Sequence, residues 1–129
     1  MILVDTSVWV LVFQRPRPLE LEAKVPFDEI VTCLPVVQEV LQGFRDRQAF
    51  GVARESFLAL PMIESPLRWE VFAQAVDLFR AGRRAGLTVR SSVDCLIAAC
   101  AIRNDIEILH RDRDFAALAR VSPLRERRV

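Results

Sequence analysis

Cysteine, glycine, histidine and lysine are all scarce in this chain. The three cysteines, Cys33, Cys95 and Cys100, form an odd set without CxxC spacing. That argues against a disulfide framework or a zinc site and reads as small core residues in a reducing compartment. With four glycines and neither GxGxxG nor GxxxxGKS/T, there is no loop to cradle a nucleotide phosphate. His110 is the single histidine, so any Ser-His-Asp or Cys-His site would have to use it. Its place on a late strand beside arginines points instead to packing or surface. No apolar run approaches the roughly 18 residues of a membrane span. The N-terminus also lacks the basic start and small-residue cleavage site of a signal peptide. A cytoplasmic protein without membrane association is expected.

What is abundant is apolar: 52% of the 129 residues are hydrophobic. A chain of this size buries a core without staples, and a single domain over 1–129 is expected. Net charge is only +1, yet residues 1–64 carry 6 basic and 9 acidic side chains, net −3, against 12 and 8, net +4, in residues 65–129. Every basic residue except Lys24 is arginine, the side chain best shaped for bidentate phosphate contacts. A compositional arginine bias explains the same fact.

"MILVD" reads as a strand buried on both faces and ending in an acid. Asp5 is placed to cap a helix over "TSVWVLVF", which "RPRP" at 15–18 ends. A helical turn around "LELEAK" precedes a strand at 29–33. Helices are expected over about 36–48, with Pro35 in the first turn, and over 52–60 before Pro61. A short strand "MIES" follows, then an amphipathic helix over 67–85 closed by Gly86. "TVRSS" reads as a loop, 93–103 as a nearly all-apolar helix, 106–110 as the last strand and "RDFAALAR" as the last helix. The tail "RERRV" is expected to be loose. Strands alternating with helices through short connections define an α/β domain with a parallel sheet.

The residues that stand out are acids in apolar company. Asp5 ends a buried strand, where parallel sheets build their sites, although a helix cap would account for it alone. Glu39 falls about 60° beyond the arc of Val36, Val37, Val40, Leu41 and Phe44 on its helix, at the rim of the buried face. Asp94 is second in a central apolar helix, with Ile97, Ala98 and Ala101 on its own face. An ionised carboxylate there needs an arginine, the helix dipole or a metal beside it. Asp112 and Asp114 follow the last strand, and at least one should cap the last helix. Four carboxylates about 5 Å apart repel by roughly 3 kcal/mol per pair at an effective dielectric of 20. All-oxygen ligation selects a hard ion, Mg²⁺ or Mn²⁺, and such ions orient phosphates and activate water. The chemistry implied is phosphodiester hydrolysis.

"VDTSVW", "VVQEVLQG", "SSVDCLIAACAI" and "LHRDRDFAAL" resemble, in order and spacing, the four acidic motifs of PIN-domain ribonucleases. The compact length is similar to that of the VapC toxins of bacterial toxin–antitoxin pairs. The resemblance implies a PIN-like three-layer sandwich, with a central parallel sheet of four or five strands flanked by helices. It implies a Mg²⁺- or Mn²⁺-dependent endoribonuclease acting on tRNA or rRNA, a VapB-like antitoxin that inserts a peptide into the acidic site, and a homodimer. The catalytic acids would be Asp5, Glu39 and Asp94 with Asp112 or Asp114 as the fourth. Asp5, Asp94 and the Asp112/Asp114 pair would hold the metal. Thr6 would help hold the site, and Arg90, Arg111 and Arg113 are candidates for gripping RNA.

Two rivals use the same acids. A phosphoryl-transfer hydrolase with Asp5 as nucleophile wants a second Asp at position 7, where Ser stands, or a late lysine, where Lys24 is the only one. A non-catalytic module would use the acids to bind a basic peptide.

Overall fold

The computed structural model describes all of residues 1–129. Strands β1 (Ile2–Val4), β2 (Ile30–Cys33), β3 (Met62–Ile63), β4 (Glu107–His110) and β5 (Glu126–Arg128) form one sheet in the order β3-β2-β1-β4-β5, every pair parallel. Helices α1 (Thr6–Val12), α2 (Leu34–Gln42), α3 (Arg47–Leu58), α4 (Trp69–Arg84), α5 (Ser92–Arg103) and α6 (Arg113–Ala119) connect them. Right-handed crossovers place α1–α3 on one face and α4–α6 on the other. The packing follows this division, α1 and α3 meeting α2 while α4, α5 and α6 touch one another, with α2 also meeting α5 across it. This is the expected three-layer parallel α/β fold, with the larger of the two strand numbers.

Local chemistry sets the elements. β1 is buried at every residue and sits at the centre, with Ile2 opposite Ile30 on one side and Glu107 on the other. Trp9 in α1 folds back so that its indole N–H donates to the Val4 carbonyl (3.1 Å). α5 is buried nearly all round, through Cys95, Ile97, Ala98, Ala99, Cys100 and Ala101, which explains its lack of a polar face. α4 buries Val71, Ala75, Leu78 and Gly82, a single stripe at helical spacing.

Two expectations fail. The helix expected over 36–48 stops at Gln42, and residues 47–50 belong to α3 instead. Asp46 is the reason: its carboxylate accepts the Ala49 N–H (2.8 Å) and starts a new helix. The tail expected to be loose forms β5, an edge strand whose Glu126, Arg127 and Arg128 lie opposite Ile108, Leu109 and His110.

Candidate metal centre

The strand order turns back on itself at β1, between its neighbours β2 and β4, and the acids gather at the carboxyl ends of the strands there. Asp5 is the last extended residue of the β1 segment; its N–H bonds to the Leu109 carbonyl (2.9 Å). Its Oδ2 accepts the Ser7 N–H (3.0 Å) and the Ser7 hydroxyl (2.5 Å). The Ser7 oxygen in turn accepts the Arg111 N–H (2.9 Å), joining α1 to the end of β4. Asp5 is therefore both the helix cap and a member of the acid group. Glu39 comes from α2, where the Thr6 hydroxyl donates to its Oε1 (2.8 Å).

Asp94 occupies the first turn of α5. Ser91 caps that helix by accepting the Asp94 N–H (3.3 Å), and the spacing Ser91-x-x-Asp94 is that of a capping box. The reciprocal half is missing. Asp114 takes the Ser91 N–H instead (3.2 Å), together with the Arg90 N–H (3.0 Å). The Asp94 side chain is left free of the cap. Asp112 caps α6 by accepting the Asp114 N–H (3.0 Å).

Oxygens of Asp5, Glu39 and Asp94 lie within 4.8 Å of one another, as do those of Asp94, Asp112 and Asp114. All five acids thus belong to one cluster hinged on Asp94. No arginine or lysine forms an ion pair with any of them. Burial first, and then the neighbouring carboxylates of Asp5, Asp112 and Asp114, push the Asp94 carboxyl up to about 8. Burial also raises Asp5 against the lowering effect of the Ser7 bonds, and raises Glu39 against its Thr6 bond.

Three carboxylate oxygens here, Asp5 Oδ1, Asp94 Oδ2 and Asp114 Oδ1, are buried without a hydrogen bond. Buried carboxylate oxygens without donors are costly. A divalent cation held at Asp94 with Asp5 on one side, or with Asp112 and Asp114 on the other, would satisfy these oxygens, and an all-oxygen donor set suits a hard ion. The residues fit such a group.

Thr6, which the resemblance expects to help hold the site, donates its hydroxyl to Glu39. Arg90, Arg111 and Arg113 are exposed beside the acids, with none of their guanidinium groups in an ion pair. Sequence reasoning missed the supporting roles of Ser7 and Ser91. The capping-box spacing could have found Ser91; the Ser7 bridge to Arg111 spans 104 positions and has no local signal.

Residues 2–121 match the PIN domain, and the chain belongs to the PIN-domain family. A VapC ribonuclease of Mycobacterium bovis and ribonuclease VapC11 of Mycobacterium tuberculosis are each 39% identical to it over 96% of both chains. Within the family the chain therefore falls in the VapC group. A solved structure of VapBC-5, a member of the VapBC family of toxin–antitoxin systems from Mycobacterium tuberculosis, superimposes with a TM-score of 0.73 at 25% identity. It covers 98% of this chain and 97% of that one.

Proposed function

We propose that this protein is a divalent-metal-dependent endoribonuclease, the toxin of a VapBC-like pair in the cytoplasm, with tRNA or rRNA as its substrate class. The observation that carries the reading is the set of three buried carboxylate oxygens without donors, two of them on Asp5 and Asp94. The ribonuclease names of the relatives at 39% identity support it.

Asp5 and Asp94 would hold Mg²⁺ or Mn²⁺, with Asp112 and Asp114 completing the acidic wall. When bound, the ion polarises a phosphoryl oxygen and makes water acidic enough to act as a nucleophile near neutral pH. The chain's own residues do the rest. Ser7 fixes the Asp5 carboxylate through Oδ2. Glu39 is held by Thr6 through Oε1, which leaves Oε2 to take the proton of the attacking water. Its raised pKa suits that role. The exposed guanidinium groups of Arg90, Arg111 and Arg113 bind backbone phosphates of the RNA. In-line attack with departure of the 3′-oxygen leaves a 5′-phosphate and a 3′-hydroxyl.

Beside Glu39 a groove of about 450 Å³ has an apolar side, Val10, Phe13, Val40 and Phe44, and a polar rim that includes Arg45 and Asp46. It suits an antitoxin segment with apolar side chains whose basic residue reaches the acids. On α4, exposed Trp69, Phe72, Val76 and Phe79 supply an apolar face for a homodimer.

Purified protein should cut RNA with Mg²⁺ or Mn²⁺ and stop with EDTA. Asp5→Asn should reduce cleavage by more than the roughly 100-fold that loss of an outer-shell partner can cost. Cleavage unaffected by EDTA, or full activity in Asp5→Asn, would sink this reading.

A further inference from the structure

His110 is fully buried, 1% exposed, and both ring nitrogens are engaged. Nδ1 accepts the backbone N–H of Asp112 (3.1 Å). A nitrogen that accepts from an amide carries no proton, so the proton of the neutral ring sits on Nε2. Nε2 faces the Glu126 carboxylate of β5 and donates to it. The ring also lies 5.3 Å from Phe115, tilted by 47°. The His110 carbonyl accepts the Val129 N–H (2.9 Å), so β5 grips this residue through both backbone and side chain. Turning the ring would break both side-chain bonds.

The Asp112 N–H belongs to the turn that delivers the Asp112 carboxylate to the cluster with Asp94 and Asp114. Where Nδ1 stands therefore fixes where this turn stands. The tautomer of the ring is set jointly by the Asp112 N–H and by Glu126, a residue 16 positions beyond His110 and on a different strand. We propose that His110 and Glu126 are positioning residues for the acidic site, with Glu126 helping to fix the imidazole tautomer and His110 fixing the Asp112 turn. This rests on the metal-site reading above. It makes the C-terminal strand a working part of the site rather than a cover for the sheet edge. Partners of this kind set metal affinity from outside the ligand shell, with losses of roughly 10- to 100-fold on removal.

Side-chain geometry allows the two bonds to be cut separately. In His110→Asn, the amide oxygen replaces Nδ1 and keeps the Asp112 bond while losing Glu126. In His110→Gln, the amide nitrogen replaces Nε2 and keeps Glu126 while losing Asp112. Glu126→Ala removes the tautomer-setting acceptor, and Glu126→Gln restores one. Glu126 is partly exposed, with 25% of its side chain accessible, so its variants should fold.

The experiment measures Mn²⁺ affinity by calorimetry, melting temperature without metal, and the imidazole ¹⁵N shifts, which need no assignment because His110 is the only histidine. Expected are an Nε2–H tautomer in the wild type and in Glu126→Gln, and a mixture of tautomers in Glu126→Ala. Mn²⁺ affinity should fall at least roughly tenfold in Glu126→Ala and His110→Gln. It should stay near wild type in Glu126→Gln, and His110→Asn should bind more tightly than His110→Gln. Wild-type affinity in Glu126→Ala, or equal affinities in the two His110 variants, overturns the positioning role even if both have lost stability. Asp94→Asn serves as the control. If it binds Mn²⁺ like wild type, or wild type binds none, the metal-site reading falls and takes the positioning role with it. Binding that is lost in Asp94→Asn but unchanged in Glu126→Ala overturns the positioning role alone.

Discussion

In the metal-free protein the Asp94 carboxylate is disfavoured by burial and by three acidic neighbours, and its pKa climbs from 3.8 to about 8. An asparagine at the same place keeps the shape and drops the charge. Asp94→Asn should therefore melt at a higher temperature than wild type in EDTA while losing Mn²⁺ binding and RNA cleavage. Opposite movement of stability and activity marks a strained functional residue; a purely structural Asp94 would lose stability on substitution. Thermal melts and cleavage assays on one preparation decide between them. Asp114 shows why the strain is held so locally. By taking the Ser91 N–H that Asp94 would otherwise bond, it keeps the Asp94 side chain from settling into its own helix cap.

α5 enters the site through the loop that follows α4, and that loop begins at a helix stop of defined chemistry. Gly86 has φ +73°, its N–H bonds to the Arg83 carbonyl (3.0 Å), and the Leu87 N–H bonds to that of Gly82 (2.9 Å). This is a Schellman ending, which favours glycine at its left-handed position. Gly86→Ala should cost about 1 kcal/mol of stability, read as a lower denaturation midpoint at unchanged slope, with metal affinity intact. Gly86 was legible in the sequence because helix periodicity and the glycine stop coincide there. The boundary between α2 and α3 was not. Leu41 and Phe44 carry the apolar pattern past Gln42, and Phe44 does turn inward, its ring 5.1 Å from that of Phe13, but from outside a regular helix. The Asp46 cap outweighs periodicity at that point. β5 was hidden for a different reason. Its "ERR" has no apolar alternation because an edge strand pairs by backbone and keeps charge on its open side, so only Glu126 betrays a buried partner. At the site, the five acids could be read from their apolar surroundings, and the Ser7–Asp5 and Ser91–Asp94 bonds are local. By contrast, the bonds that tie the elements together, Asp114 to Ser91 and Ser7 to Arg111, span 23 and 104 positions.

At the scale of the whole molecule, folding brings together two halves of opposite net charge, −3 and +4, yet it joins them at a point where both present acids. Asp5 and Glu39 come from the first half, and Asp94, Asp112 and Asp114 from the second. The repulsion makes stability depend on pH. Asp94 binds its proton more tightly when folded than when unfolded, with a pKa raised from 3.8 to about 8, and Asp5 and Glu39 shift in the same direction. Between those limits the folded state holds more protons than the unfolded state, so stability falls as pH rises. The contribution is fully present below pH ~4, declines through the interval and levels off above about 8. A divalent ion held as proposed would reverse the trend, because it would bind the deprotonated acids of the folded state alone. At 100 times its dissociation constant it adds about 2.7 kcal/mol. Melting curves from pH 5 to 8 should therefore show a falling midpoint in EDTA and a level or rising one with saturating Mn²⁺, the two diverging most at pH 8. A midpoint in EDTA that is flat or rises across this range would mean that the acids do not repel one another in the folded chain, and the case for a cation between them would fail with it.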